Sequence, residues 1–79
     1  MLYIGNYLIK ANGNLSGVYS VRDGTRIIAD SAFERCTNLT NVLIPDSVTA
    51  IGKEAFCYCS GLESAAIGNG VKIIGDGAF

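Results

Sequence analysis

A β-rich repeat solenoid of the α/β class, with short helical turns between its strands, is the fold this sequence predicts. Three observations predict it. Phe33, Phe56 and Phe79 recur at equal spacing and define a 23-residue repeat. An apolar set returns with them: Cys36, Leu39, Val42, Ile44, Val48 and Ile51 in one unit, then Cys59, Leu62, Ala65, Ile67, Val71 and Ile74 in the next. Turn-forming pairs, Asp23-Gly24, Asp46-Ser47 and Asn69-Gly70, punctuate the chain at the same interval. A constant period of roughly 20 to 50 residues marks stacked supersecondary units, with atypical sequence at the ends.

Each element follows from local chemistry. Leu2-Tyr3-Ile4 and Tyr7-Leu8-Ile9 flank Gly5-Asn6, a two-residue turn that can take positive φ, so the chain opens with a β-hairpin. Asn12-Gly13-Asn14 marks a second turn. Tyr19, Val21 and Ile28 occupy the slots of Val42, Ile44 and Ile51, but further upstream Ser16 and Gly13 stand where Leu39 and Cys36 call for apolar residues. Residues 1–18 therefore read as an N-terminal β-hairpin cap and 19–31 as a partial repeat. Residues 32–54 and 55–77 are full repeats and 78–79 begin a truncated third, all within one domain, 1–79. In a full unit Leu39, Val42 and Ile44 face inward on a first strand and Leu43 points outward. Pro45 follows because a missing N–H is tolerated at a strand end. Val48 to Gly52 form a second extended piece. Lys53 to Cys59 then suffice for one or two helical turns, with Phe56 and Cys59 on the inner face.

Composition narrows the function. Six basic residues, Lys10, Arg22, Arg26, Arg35, Lys53 and Lys72, are scattered among seven acids for a net charge of −1. Nucleic acid, which attracts a concentrated basic stripe, is not an expected partner. Apolar runs such as Tyr7-Leu8-Ile9 are far short of the ~20 residues a membrane helix needs, so no membrane insertion by this segment is expected. The first residues lack the basic start and long apolar core of a signal peptide, so an exported parent would carry its signal outside this segment.

The unit Ile44-Pro45-Asp46-Ser47-Val48-Thr49-Ala50-Ile51-Gly52-Lys53-Glu54-Ala55-Phe56, followed by Cys59 and Leu62, resembles the BspA-like leucine-rich repeat of bacterial surface proteins over about residues 19–79. Gly68 for Pro45 and Gly70 for Ser47 depart from that pattern, at one turn. The resemblance implies a leucine-rich-repeat right-handed solenoid, a cell-surface or secreted parent, and binding to a protein or other macromolecule on host or neighbouring cells. It implies no catalysis.

No constellation in the chain supplies chemistry. Glu34, Glu54 and Glu63 fall in variable, outward slots. Serine, threonine and cysteine have no histidine to activate them, and Cys57-Tyr58-Cys59 with Cys36 is too few ligands for zinc. No catalytic residue, metal or cofactor is therefore expected. Cys36 and Cys59 share a slot and are expected as a reduced, buried pair, because stacked side chains run parallel rather than toward each other. Asn14-Leu15-Ser16 and Asn38-Leu39-Thr40 match the glycosylation pattern only formally. What repetition does create is columns. Val18/Asn41/Ser64, Ser20/Leu43/Ala66 and Arg22/Pro45/Gly68 line the outside of the first strand as a shallow, mildly apolar surface. Val18, Ser20, Arg22, Asn41, Leu43, Ser64 and Ala66 form the candidate binding face. Ile27/Ala50/Ile73 form a further outward column. Because the third unit stops at its aromatic, Ile67, Ile74 and Phe79 are expected to leave an open edge through which two copies self-associate. The rival reading is a spacer or capping segment of a longer solenoid that binds nothing.

Overall fold

The computed structural model describes residues 1–79, and its eight strands fall into two sheets. Strands β1 (Leu2–Ile4), β2 (Tyr7–Lys10), β4 (Ile27–Ile28), β6 (Ala50–Ile51) and β8 (Ile73–Ile74) form one, in the order β1-β2-β4-β6-β8. Strands β3 (Ser16–Ser20), β5 (Asn38–Ile44) and β7 (Ser64–Ile67) form the other, in the order β3-β5-β7. Every pairing is parallel except the β1–β2 hairpin, whose turn holds Gly5 at φ 58°. Asn41 pairs with Val18 on one side and Ser64 on the other, and Ala50 with Ile27 and Ile73, each partner one repeat away. The chain thus winds as stacked coils, a solenoid-like arrangement in which every turn repeats the contacts of the last.

Alternation along β5 explains the core. Leu39, Val42 and Ile44 are buried while Leu43 between them is exposed. Ile51 closes the same interior from the five-stranded sheet, Val48 from the segment leading into it, and Ala55 and Phe56 from the third side. The phenylalanines stack: Phe33 and Phe56 rings lie 4.7 Å apart and 8° from parallel, Phe56 and Phe79 4.9 Å and 3°. Glycine is required where coils press closest. A Cβ on Gly52 would run into the backbone of Ala29 and Asp30, and one on Gly75 into Gly52 and Lys53.

The expected helical turns at 53–59 do not form. Ser31, Glu54 and Gly77 share one slot at φ 57° to 64°, and Arg35 and Tyr58 share another at 63° and 60°. Left-handed residues at this spacing interrupt any helix. The amides explain why the conformation persists. Glu34 and Cys36 close three-residue turns to Ser31 and Phe33, but the amides between them reach out of the coil. Ser31 donates to Lys53 O, Phe33 to Ala55 O and Arg35 to Cys57 O, at 2.7 to 3.0 Å. A helix would spend those donors internally and leave the next coil's carbonyls unpaired. This segment is therefore a third inter-coil ladder.

The repeat also continues further toward the amino terminus than a comparison at fixed period reaches. Leu8 pairs with Ile28 and Ser16 with Asn38, both at less than the full repeat interval, and a bulge between Gly17 and Val18 restores it where Val18 meets Asn41. The first coil is shorter, so its slots drift. Cys36 Sγ donates to Asn12 O as Cys59 Sγ donates to Phe33 O, which places Asn12 beneath Phe33. Asn12 has no ring to stack; Tyr19 supplies one, tilted 52° with centroids 6.0 Å from Phe33. Half-buried Leu15 takes the inward place that Gly13 and Ser16 could not fill. The hairpin folds against this end through Tyr3, whose hydroxyl meets that of Tyr19 at 2.7 Å and accepts the Arg22 amide at 3.0 Å. Burial and the Tyr3 hydrogen bond push the Tyr19 phenol up to about 12.

Candidate binding face

The three-stranded sheet carries the candidate face on its outer side. In β3, Val18 and Ser20 are exposed because Tyr19 between them turns inward, and β5 and β7 repeat the alternation in register. Val18 is 63% and Leu43 44% accessible, the largest apolar groups on a surface otherwise made of Ser20, Ser64 and Ala66. Asn41 is half-buried and donates through Nδ2 to Ser64 Oγ, which ties β5 to β7 across the face. Six of the seven sequence-derived residues thus lie together on one sheet.

Arg22 does not join them. Its backbone follows β3, but its guanidinium lies 4.0 Å from the centre of the Tyr3 ring, a cation–π contact that directs the charge toward the hairpin. The face is left without a basic group in its columns.

Beyond the columns, the end of the sheet opens into a shallow depression of about 360 Å³, lined by Ser20, Asp23, Leu43, Pro45, Ala66 and Gly68 among others. Asp23 places a carboxylate at its edge, which the column reading overlooked. The signal was present in the turn slot Asp23/Asp46/Asn69. The glycine departures in the third unit find their reason here. A Cβ on Gly68 or Gly70 would collide with the backbone of Pro45 and Asp46, so the third turn nests on the second. Asp46 Oδ1 then accepts the Asn69 amide at 2.8 Å.

The residues expected at the open edge are exposed together: Ile67 at 40%, Ile74 at 53% and Phe79 at 54%, with Ile73 at 65% beside them. In the column Ile27/Ala50/Ile73 the first two are half-buried and only Ile73 stands clear. Among the carboxylates singled out in the sequence, Glu54 and Glu63 are exposed and Glu34 is half-buried.

All three cysteines are free thiols. Cys36 is buried with Sγ 3.7 Å from Asn12 O, and Cys59 is half-buried with Sγ 3.0 Å from Phe33 O, so each thiol donates to the coil before it. Burial pushes both thiols above their ordinary value. A raised thiol holds less nucleophilic thiolate at neutral pH. Native protein treated briefly with an alkylating reagent is therefore expected to be modified at Cys57 first and at Cys36 last, with all three reacting after denaturation. Peptide mass spectrometry reads the order, and equal rates in the native state would mean that the ladder is open to solvent.

No curated protein and no solved structure matches the chain significantly. A family model for the BspA type leucine-rich repeat region matches residues 2–79 in six copies, and so includes the shortened first coil along with the regular ones. The register of the two sheets, the stacked phenylalanines and this match agree: the chain belongs to the BspA-type leucine-rich repeat family, a repeat module typical of bacterial surface proteins.

Proposed function

We infer that this chain is a non-enzymatic binding module that presents the outer face of β3, β5 and β7 to a protein or other macromolecule at the cell surface or in the secreted space. Its coils run as a right-handed solenoid of 23-residue repeats, the usual hand for parallel strands joined by crossovers, and the N-terminal hairpin caps one end. One observation carries the reading. Ser20, Leu43 and Ala66 are exposed in register on a parallel sheet and line a depression of about 360 Å³, with Val18 exposed on the same face. Solenoids use such continuous faces for extended contacts. The test is capture of extracellular-matrix and cell-surface proteins on the immobilised chain, with Leu43→Asp as the paired variant. Binding that Leu43→Asp abolishes while the variant stays folded supports the face; binding unaffected by it moves the site elsewhere, and no binding at all favours the spacer reading.

A second reading, self-association, is favoured by the exposure of Ile67, Ile73, Ile74 and Phe79, all on the last coil. Two copies meeting through this end would bury an apolar patch and pair β7 and β8 with their counterparts about a two-fold axis. The 79-residue chain is expected to show a concentration-dependent monomer–dimer equilibrium by sedimentation equilibrium. A strictly monomeric species throughout a wide concentration range would remove this reading and leave the binding face untouched.

A further inference from the structure

We propose that the Asn69-Gly70 turn is a site of spontaneous covalent modification, at which the Asn69 side-chain amide is converted through a cyclic imide to aspartate and isoaspartate. Three sister turns make the comparison internal. In the first, Thr25 N closes back on Arg22 O at 3.1 Å, and Gly24 N donates to Ser47 Oγ at 3.2 Å. In the second, Val48 N closes on Pro45 O at 3.2 Å, and Ser47 Oγ donates to Thr25 O at 2.7 Å. The third has neither tie. Val71 N makes no bond to Gly68 O, the Gly70 amide has no partner, and no carbonyl of Gly68 or Asn69 accepts a backbone hydrogen bond. Gly68 also replaces the proline that pins φ in the second turn. The hydrogen bonds of the third turn are those of the Asn69 amide to Asp46 Oδ1 and the Gly68 amide to Ile44 O, and beyond them it rests on the second turn by packing.

The step needs what this turn supplies. Solvent base removes the proton of the free Gly70 amide, and the nitrogen attacks Asn69 Cγ. The Cγ–NH2 bond breaks and ammonia leaves, closing a five-membered succinimide. Water then opens one of the two imide bonds. Cleavage at Cγ restores the ordinary main chain with aspartate; cleavage at the Asn69 carbonyl routes the main chain through the side chain as isoaspartate. Glycine at position 70 presents no side chain to hinder the approach, and Asn69 is exposed to the water consumed. The other Asn-Gly pair, Asn12-Gly13, is held. Leu15 N closes its turn on Asn12 O at 3.1 Å, Cys36 Sγ donates to the same carbonyl, and the terminal ammonium of Met1 donates to Asn12 Oδ1 at 3.2 Å. The remaining asparagines precede tyrosine, valine or leucine.

The product changes one end of the candidate face. Aspartate at 69 adds a carboxylate to the column Asp23/Asp46, one coil from the Asp46 side chain that now accepts the Asn69 amide. Isoaspartate lengthens the turn by a methylene beside Gly68, which lines the depression.

The folded 79-residue chain is incubated at mildly alkaline pH and digested with trypsin. Residues 54–72 contain Asn69 as their single amide side chain and residues 11–22 contain Asn12. The expected result is a gain of about one dalton in 54–72, split between two chromatographic forms, while 11–22 stays unchanged; Asn69→Gln abolishes the gain. Three results would overturn the proposal: conversion of 11–22 ahead of 54–72, a gain in 54–72 that survives Asn69→Gln, or no change in the native chain over a period in which the urea-unfolded chain converts. The last would mean that the fold locks the turn.

Discussion

Phe56→Ala is expected to cost about 3–5 kcal/mol, the usual range for truncating a buried aromatic. Phe56 is 2% exposed, and its ring is sandwiched between those of Phe33 and Phe79. Removal empties the middle of the stack and leaves Phe33 and Phe79 without a common neighbour. Native proteins hold roughly 0.05–0.15 kcal/mol of stability per residue, or about 4–12 kcal/mol for a chain of this length, so the variant removes a large share of the total. Urea or thermal unfolding checks it, each kcal/mol lowering the midpoint by about 4–8 °C in a domain this small. Phe79→Ala provides the control. Its ring is 54% exposed and stacked on one face only, so the same truncation there should cost distinctly less. Equal losses at 56 and 79, or a Phe56→Ala midpoint beside that of the parent, would show that stacking is not what holds the coils together.

The gradient between those two positions is legible in the sequence, because a regular recurrence of phenylalanine puts one ring above another whatever the backbone does between. The inward slots of β5 were legible for the same reason, and Gly5-Asn6 announced its hairpin through the one residue type that accepts positive φ freely. What the sequence did not disclose is the path from one strand to the next. Ser31, Glu54, Arg35 and Tyr58 carry no chemical mark of a left-handed backbone, and Glu54 and Arg35 are ordinary helix formers. Their conformation is imposed by donors that the neighbouring coil requires. The first coil was hidden differently. Its shortened offsets, Leu8 to Ile28 and Ser16 to Asn38, defeat a comparison at fixed period, and the aromatic that starts the ring stack, Tyr19, comes from a strand slot rather than from the phenylalanine slot. On the candidate face, the columns group side chains of β3, β5 and β7 that are exposed at Val18, Ser20, Leu43, Ser64 and Ala66 and half-buried at Asn41. They could not show that Arg22 turns away, because its partner Tyr3 lies on a hairpin whose approach is a tertiary event.

Val42→Asp and Leu43→Asp, a pair of adjacent substitutions, separate the core from the face. Val42 is fully buried and pairs with Tyr19 and Ala65 in the register of the sheet, so an aspartate there must either bury an unpaired carboxylate or break the strand. Burial of an unpaired charge exceeds what a domain this size can absorb, and the variant is expected to be unfolded in buffer by circular dichroism. Leu43 is the next residue and 44% exposed, between Ser20 and Ala66 with no acid beside it in its column. Aspartate is a poor strand former, a penalty within about 1 kcal/mol on host scales, so Leu43→Asp should fold and melt slightly lower than the parent. A slip of one residue in strand pairing exchanges the two faces entirely. The reverse outcome, a folded Val42→Asp and an unfolded Leu43→Asp, would therefore place Leu43 in the core and dissolve the candidate face with it. Equal damage from both would mean that β5 is covered on both sides, and the surface inferred to meet a partner would already be occupied by this chain.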